Sequence, residues 1–406
     1  MMSTSQETPF QISIPDDALS ALKTRLSLTR FPDELDEAGW DYGAPLKDIQ
    51  RLVAYWKDGY DWRKHEREMN EGLRMFTRDV EVEGHGVLNV HYVHERSGVD
   101  GALPLFFSHG WPGSFAEVQK LLPLLTAASP DHPSFHVVAF SLPGYGFSEA
   151  PHKPGFAGKQ YAEVAHKLML ALGYNEYVVQ GGDWGNLITR TMAKNYGPEH
   201  VKGWHTNMPL ALEPSLFSQP LTWLSHKLST YTPQEKAHLA RGEFITRTGR
   251  GYFEIQATKP QTIGYSMADS PVGLLAWIYE KLVVWTDEYE WSDDEVLTWV
   301  SIYWFSRAGP AAAARIYYET RQSGERNNPP MGIVVPIGVA YFPKELRVPP
   351  RSWIRSVGNV VFESEHDRGG HFAAHENPEG LADDLRKMFG RGGPAYGVVP
   401  GKTGYA

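Results

Sequence analysis

The sequence predicts an α/β fold with a mostly parallel central sheet, a helical insertion within it and a helical N-terminal segment before it. Short β-rich runs alternate with helical patterns over residues 86–212, disappear over residues 213–330 and return over residues 331–395. Strands that alternate with helices need crossover connections, and these connections place the strands parallel to one another. We expect residues 396–406 to form a C-terminal tail.

The N-terminal segment, residues 1–85, has the periodicity of helices. Asp16 is a candidate N-cap, and leucines recur at helical spacing over residues 19–26. A second helical run covers residues 46–70 and mixes charged residues with two tryptophans. We interpret this segment as a helical meander that packs on the main body of the protein.

The first part of the α/β core contains four β-rich runs. They are residues 88–94, 103–107, 135–140 and 177–180. Each of the last three precedes a Gly- or Pro-containing loop and then a helical pattern, which is typical of a parallel sheet.

The helical insertion, residues 213–330, lacks β-rich runs. Thr232 is a predicted N-cap, because Pro233 follows it at the first helical position and Glu235 stands three residues after the cap. An α/β core that is interrupted by helices and then resumes is the layout of a hydrolase with a helical lid.

In the second part of the core, the sequence predicts strands over residues 333–341 and 359–364. A last helix opens at Asn377-Pro378 and places three apolar residues on its inner face. These are Leu381, Leu385 and Met388. The Gly- and Pro-rich residues from 391 onwards are expected to be a loose tail.

The composition excludes several classes of protein. The net charge of −9 disfavours nucleic-acid binding, and the absence of cysteine excludes disulfides, thiolate nucleophiles and iron–sulfur clusters. The longest apolar run, residues 274–285, is interrupted by Glu280 and Lys281 and is shorter than the ~18 residues of a membrane helix. The first 18 residues are polar, so we expect no signal peptide or membrane anchor and a soluble, cytoplasmic protein.

The strongest motif is the sequence Gly-Gly-Asp-Trp-Gly at residues 181–185, between a strand and a helical run. It matches the Gly-x-nucleophile-x-Gly elbow of the α/β-hydrolase fold, with Asp183 at the position of the nucleophile. A carboxylate can attack carbon without a base to activate it. The product is an ester of the enzyme, which water must then cleave.

A second motif, Phe-Ser-His-Gly-Trp-Pro-Gly at residues 107–113, follows a predicted strand. In lidded hydrolases this loop supplies one donor of the oxyanion hole. The corresponding donors here are the backbone N–H groups of Trp111 and Trp184, and two fixed donors of this kind stabilise an oxyanion by about 3–4 kcal/mol each.

Hydrolysis of an ester needs a base, and the best candidate is His371, between the last strand and the last helix. His366 shares that loop and is its nearest rival. Glu345 follows the strand at residues 333–341 and is the favoured acid that orients the base. Glu365 and Asp367 compete for that role, but both lie very near His371 in the sequence.

Several other patterns in the sequence carry weaker signals. Tyr252 and Tyr317 lie in the insertion and could donate a proton to an oxygen leaving group, although sequence reasoning cannot choose them among 20 tyrosines. The Gly-Lys-Thr at residues 401–403 and the Gly-Tyr-Gly at residues 144–146 lack the remaining glycines of nucleotide-binding loops. His371 and His375 have the spacing of a metal pair but no third ligand is evident, so no metal or cofactor is expected.

The chain resembles the microsomal-type epoxide hydrolases, including soluble fungal and bacterial members, over nearly its whole length. The resemblance rests on the N-terminal region and five motifs. These are residues 9–84, 109–112, 181–185, 256–260 (Gln-Ala-Thr-Lys-Pro), 269–274 (Asp-Ser-Pro-Val-Gly-Leu) and 369–373 (Gly-Gly-His-Phe-Ala).

The resemblance implies that Asp183 is the nucleophile and that Glu345 and His371 are its charge-relay partners. It also implies that Tyr252 and Tyr317 are the ring-opening pair and that the N-terminal segment braces the lid. Mammalian microsomal members begin with a membrane anchor, and we expect this chain to be a soluble relative without one.

We therefore expect a cofactor-independent epoxide hydrolase that acts on hydrophobic aryl or alkyl epoxides and water and yields vicinal diols. A homodimer is compatible with the sequence. The alternatives are a haloalkane dehalogenase, which shares the Asp nucleophile, and a non-catalytic ligand-binding module on the same scaffold.

Overall fold

The computed structural model describes residues 7–217, 220–228 and 230–406. A nine-stranded mixed sheet forms the centre of this part of the chain. The strands are β1 (Thr8–Pro9), β2 (Met75–Val82), β3 (Gly86–Glu95), β4 (Leu103–Ser108), β5 (Phe135–Phe140), β6 (Tyr177–Gly181), β7 (Val201–Thr206), β8 (Ile333–Tyr341) and β9 (Gly358–Glu365). Their order across the sheet is β1-β2-β3-β5-β4-β6-β7-β8-β9.

The sheet is parallel from β5 to β9 and antiparallel from β1 to β5, which confirms the predicted mostly parallel arrangement. Strands β4 and β6 are buried along their whole length, because helices cover both faces of the parallel part. The carboxyl ends of these strands therefore meet at one edge of the sheet.

Sixteen α-helices surround the sheet in the part of the chain that the structure describes. They are α1 (Asp16–Ser27), α2 (Leu46–Asp58), α3 (Trp62–Gly72), α4 (Leu122–Thr126), α5 (Gly158–Ala171), α6 (Trp184–Tyr196), α7 (Pro220–Leu228), α8 (Pro233–Thr248), α9 (Gly251–Thr258), α10 (Pro260–Asp269), α11 (Pro271–Val284), α12 (Asp293–Trp304), α13 (Arg315–Ser323), α14 (Arg351–Ile354), α15 (Ala373–Glu376) and α16 (Pro378–Phe389). None of the helices in the described ranges has both the length and the apolar character needed to cross a bilayer.

The N-terminal segment departs from its prediction in two places. Residues 1–85 are not helical throughout, because β1 and β2 join the sheet. In β2, buried Val80 and Val82 alternate with exposed Asp79 and Glu81, and this period of two is that of a strand. Residues 1–6, the start of the polar stretch in which we expected no signal or anchor, lie outside the described residues.

Asp16 is not an N-cap. Pro15 occupies that position without a side-chain cap, and Asp16 is the first residue of α1. Its carboxylate instead accepts a hydrogen bond from Arg63 Nη2 at 2.5 Å. An acidic side chain in the first turn of a helix is still favourable, because it faces the positive end of the helix dipole.

The insertion between β7 and β8 contains helices α7 to α13 and no strand in its described residues, as predicted. The predicted cap at Thr232 is confirmed, since Thr232 Oγ1 accepts from the N–H of Glu235 at 3.1 Å and the Glu235 carboxylate accepts from the N–H of Thr232 at 3.0 Å. The N-terminal helices contact this lid, for example through Arg25 and Asp269 at 2.7 Å.

The last helix is confirmed, with Leu381, Leu385 and Met388 buried on its inner face. The prediction of a loose tail is wrong. The N–H of Gly404 donates to Gly101 O and its carbonyl accepts from Ser134 N–H, both at 2.7 Å. Val399 and Tyr405 are also buried, so the tail covers the loops that lead into β4 and β5.

Candidate active site

The Gly-Gly-Asp-Trp-Gly motif forms the predicted sharp turn between β6 and α6. Asp183 adopts a φ of 49° and a ψ of −127°, which is strained for a residue with a side chain. The two outer glycines allow this turn because a Cβ at Gly181 would overlap Gly185 O and a Cβ at Gly185 would overlap Ser108 O. The turn therefore holds the Asp183 side chain above the carboxyl edge of the sheet.

The Asp183 carboxylate has two different neighbours. Its Oδ1 accepts a hydrogen bond from the backbone N–H of Trp111 at 2.8 Å, and its Oδ2 lies 3.4 Å from His371 Nε2. A Cβ at Gly110 would overlap Oδ1, so this glycine lets the loop approach the carboxylate. The backbone N–H of Trp184 stands at the first position of α6, and its place in an oxyanion hole stays a prediction.

His371 and Glu345 form the predicted pair. His371 Nδ1 lies 2.8 Å from Glu345 Oε1, which also accepts from the N–H of Leu346 at 2.5 Å. Both side chains are buried. The N–H of His371 donates to Trp285 O of the lid at 2.9 Å, so the lid fixes the loop that carries the imidazole.

His366 and Glu365, the rivals for the roles of base and acid, have other partners. His366 Nε2 bonds Asp384 at 2.7 Å, and its ring stacks on Phe342 with centroids 4.2 Å apart. Glu365 pairs with Arg351. Geometry thus selects His371 and Glu345 as the pair beside Asp183.

The charge state of His371 depends on its acidic neighbours. Burial by itself lowers the pKa of His371, but Glu345 and Asp183 together outweigh burial and raise that pKa well above its usual value. The imidazole is therefore protonated while Asp183 is charged. A reaction that neutralises Asp183 removes part of this stabilisation and favours the neutral imidazole, which is the form that can act as a base.

Tyr252 of α9 and Tyr317 of α13 lie together over the loop that carries Trp111. The Trp111 ring stacks on Tyr252 at 5.2 Å and meets Tyr317 edge-on at 5.8 Å, and the two phenol rings are 6.0 Å apart. The Tyr317 hydroxyl is buried and has no hydrogen-bond partner in the described part of the chain. Burial raises the pKa of both phenols, so both keep their protons.

One large cavity brings these groups together. Asp183, Tyr252 and Tyr317 line it, together with apolar side chains and four arginines. The apolar lining consists of Trp184, Leu187, Met208, Leu210, Ala211, Leu212, Ile245, Phe253, Pro329 and Leu346. An apolar cavity that ends at a carboxylate and two phenols suits a hydrophobic molecule with one small polar group.

The histidine pair considered for metal binding does not converge, because His371 faces Asp183 and His375 contacts Glu295 at 3.2 Å. The described residues contain no group of three or more side chains arranged to hold a metal ion. Sequence reasoning missed several titratable residues near the site, among them Glu117, a buried acid in the turn Phe115–Val118. The one feature of the sequence that could have pointed to Glu117 is that it is a single carboxylate within an otherwise apolar run.

Comparisons with known proteins identify the family of this chain. A family model described as "Epoxide hydrolase N terminus" matches residues 7–118, and one described as "alpha/beta hydrolase fold" matches residues 104–252. A putative epoxide hydrolase of Stigmatella aurantiaca is 40% identical over 392 residues, which cover 94% of this chain and 84% of that protein. The chain belongs to the epoxide hydrolase family.

Other relatives in this family support the same assignment. Epoxide hydrolase 1 of Sus scrofa is 36% identical and covers 94% of this chain and 88% of its own length. The juvenile hormone epoxide hydrolase structure of the silkworm Bombyx mori matches with a TM-score of 0.85 at 32% identity, over 94% of this chain and 93% of that one. The Aspergillus niger epoxide hydrolase structure matches with a TM-score of 0.80 at 34% identity, over 94% and 95% of the two chains. These relatives disfavour the haloalkane dehalogenase alternative.

Proposed function

We propose that this chain hydrolyses epoxides to vicinal diols through a covalent ester on Asp183. The observation that carries the proposal is the position of the Asp183 carboxylate. It lies between the Trp111 N–H and His371 Nε2, and it lines the same cavity as the hydroxyl-bearing rings of Tyr252 and Tyr317.

In the first step, Asp183 opens the epoxide. Oδ1 is held by the Trp111 N–H, so Oδ2 is the oxygen available to attack a ring carbon. The carbon–oxygen bond of the ring breaks, and the released oxygen takes a proton from a phenol of the tyrosine pair. The phenolate recovers a proton through solvent, and the proton that His371 releases after esterification balances it. The product of this step is a hydroxyalkyl ester of Asp183.

In the second step, water cleaves that ester. Esterification removes the charge of Asp183 and so lowers the pKa of His371, which releases its proton to solvent. The neutral imidazole then takes a proton from water as the water oxygen attacks Cγ of Asp183. Oδ1 becomes the oxyanion, held by the N–H groups of Trp111 and Trp184. Its collapse expels the diol oxygen, which takes the proton from His371. The carboxylic acid that remains at Asp183 then gives its proton to the imidazole, which restores the resting pair. Glu345 stabilises the imidazolium throughout.

The preferred substrates are hydrophobic aryl or alkyl epoxides, because apolar side chains form most of the cavity wall. No cofactor enters either step. A cytoplasmic location and a homodimer stay predictions.

The test is a single turnover of styrene oxide in water enriched in oxygen-18, with enzyme in excess. We expect the first diol to contain only ordinary oxygen, and a tryptic peptide with Asp183 to gain one heavy oxygen. Repeated turnovers are the control, because they transfer heavy oxygen from Asp183 to the diol. Heavy oxygen in the first diol would mean direct attack by water, and turnover of a chloroalkane instead of the epoxide would support the dehalogenase alternative.

A further inference from the structure

Four arginines line the large cavity under the lid. They are Arg190, Arg250, Arg326 and Arg347, whereas Asp183 is the single carboxylate in its lining among the described residues. The whole chain has a net charge of −9, so this cluster does not reflect a basic composition. Neither step of the proposed reaction uses these cations.

Arg190 is a structural member of this cluster. It is buried on α6, where its Nε donates to Pro330 O at 2.6 Å and its Nη1 donates to Leu210 O at 2.8 Å. These bonds join the helix to the segment that follows α13 and to the segment that follows β7. Burial lowers the pKa of Arg190 to about 10, so it keeps its charge at neutral pH. Because its donors already hold the fold together, the other three arginines are the ones available to a ligand.

Arg250, just before α9, has only part of a counter-charge. Its Nε donates to Glu254 at 2.9 Å, but the same carboxylate also accepts from Arg321 Nη1 at 2.8 Å. One negative charge is thus shared between two cations. A net positive charge therefore remains where Arg250 lines the cavity.

Arg326 has an acid beside it in the sequence but no ion pair in the described residues. The Glu325 carboxylate is turned to the start of α5, where it accepts from the N–H of Gly158 at 2.7 Å and from the N–H of Lys159 at 3.2 Å. Gly158 leaves room for this contact, because a Cβ there would overlap Glu325 Oε2. The acid therefore compensates the positive end of a helix and not the charge of Arg326.

Arg347 is likewise without an ion pair in the described ranges. Glu213 is the carboxylate that acts on its charge, and it does so from beyond the distance of an ion pair. Glu213 Oε1 lies 3.3 Å from His226 Nε2 and 3.9 Å from Lys227 Nζ, so it has basic partners of its own. Two of the four arginines thus line the cavity without a carboxylate partner in this part of the chain.

Arg326 and Arg347 lie where the cavity opens to solvent, because both line it and both are exposed. Partial burial, followed by the charge of Arg250, lowers the pKa of each. The like charges repel one another, and a bound anion would relieve this repulsion. At such an entrance the anion keeps contact with water, so it avoids most of the desolvation cost of a buried ion pair.

The buried ring of Phe253 connects the arginines to the phenols. The guanidinium carbons of Arg326 and Arg250 lie 3.8 and 5.1 Å from its centroid, and the Tyr317 ring is 5.2 Å away. The charge of Arg326 also acts on Asp183, so the entrance is close to the nucleophile. A molecule with an apolar chain can therefore contact both ends of the cavity at once.

We propose that the epoxides this enzyme prefers carry a carboxylate at the end of an apolar chain, and that Arg326 and Arg347 bind this carboxylate. This inference rests on the proposed function and names the substrate class of the same site. The epoxide end would reach Asp183 and the phenols, and the chain would lie along Phe253. The carboxylate would stay at the entrance.

A carboxylate suits this entrance because of the shape of the guanidinium group. Its planar fork donates two parallel N–H bonds to the two oxygens of a carboxylate. Arg326 lies over Phe253, a contact that holds its guanidinium in place. Binding of the charged end also determines that the epoxide end enters the cavity first.

The probe is a series of ω-epoxy carboxylates of increasing chain length, each paired with its primary amide, which has nearly the same shape and no charge. In wild type we expect kcat/KM for the acid to exceed that for the amide by about tenfold at the best length, since the arginines bind only the charged form in this way. The ratio should fall for shorter and longer chains, which cannot place both ends at once.

The variant Arg326→Met/Arg347→Met should lower this ratio to about one, because methionine keeps an apolar stem without the charge. Arg247→Met/Arg307→Met is the matched control. Arg247 and Arg307 are exposed and neither lines the large cavity, so this variant removes the same number of charges from outside it. Because solvent and salt screen such charges, we expect the control to keep the wild-type ratio within about threefold. Turnover of the amide shows that each variant is folded.

A wild-type ratio of one or less at every chain length would overturn the proposal. A ratio that Arg326→Met/Arg347→Met keeps, or that the control variant loses equally, would also overturn it. The two single variants replace the double variant if the latter does not fold. Each should then lose part of the ratio, and a wild-type ratio in both would remove Arg326 and Arg347 from the binding of the carboxylate.

The same experiment distinguishes this inference from the proposed function. Turnover of the amides without a preference for the acids would support epoxide hydrolysis and overturn the carboxylate site. No turnover of either series would overturn epoxide hydrolysis, and calorimetric titration with saturated alkanoates and alkanamides would then test the site alone. Tighter binding of the alkanoate that the double variant loses would support the site, and equal binding of the two would overturn it.

Discussion

Replacing His371 with glutamine should leave an enzyme that forms the Asp183 ester but does not release it. The reason is that Oδ2 of Asp183 attacks without a base, whereas the water of the second step must lose a proton to His371 Nε2. We expect kcat to fall by about 10³- to 10⁴-fold, as for the removal of a general base in related triads.

Intact-protein mass spectrometry after mixing with styrene oxide measures this directly. His371→Gln should gain the mass of one epoxide on every molecule, and an Asp183→Asn enzyme should gain none. His366→Gln is the matched control, because His366 shares the loop but bonds Asp384. A folded His371→Gln enzyme without an adduct would contradict the two-step scheme.

The paired variant Tyr252→Phe/Tyr317→Phe should lose ring opening. Without a proton donor, the oxygen of the ring would leave as an alkoxide, and general acids of this kind contribute about 10²- to 10⁴-fold. We expect the rate of ester formation to fall by about 10³-fold or more in the paired variant, and by less in each single variant because the other phenol remains beside the same cavity.

The rate of ester formation in a single turnover is the measurement for this prediction. Tyr318→Phe is the control, since Tyr318 is the neighbour of Tyr317 on α13 and is exposed. Equal rates of ester formation in wild type and the paired variant would remove the tyrosines from the mechanism. A fall in the hydrolysis rate alone would reassign them to the second step.

Local signals predicted the parts of the site that lie next to strand ends. The elbow at Asp183 needs glycines on both sides, and the five consecutive residues of the motif show that these glycines are present. The cap at Thr232 and the helix that opens at Asn377 were predicted for the same reason, because a cap depends on residues three positions apart.

The predictions from sequence were wrong for segments whose structure depends on long-range contacts and not on local composition. The tail beyond Arg391 has the glycines and prolines of a loop, but Gly404 finds backbone partners at Gly101 and Ser134, far away in the sequence. Strand β2 was missed inside a region rich in helices, although its burial alternates as in any half-buried strand. Both errors concern segments whose partners are remote in the chain.

The sequence by itself determined the fold class and the candidates for the nucleophile and the base, since each depends on a motif whose residues are adjacent and whose chemistry is specific. Only the tertiary structure decided which of 20 tyrosines face Asp183, that Glu345 rather than Glu365 bonds His371, and that Glu117 shares a cavity with both. The physical reason is that these groups come from different helices and loops. Their distances from Asp183 are set by how the lid and the core loops pack over the sheet, and no local sequence pattern specifies that packing.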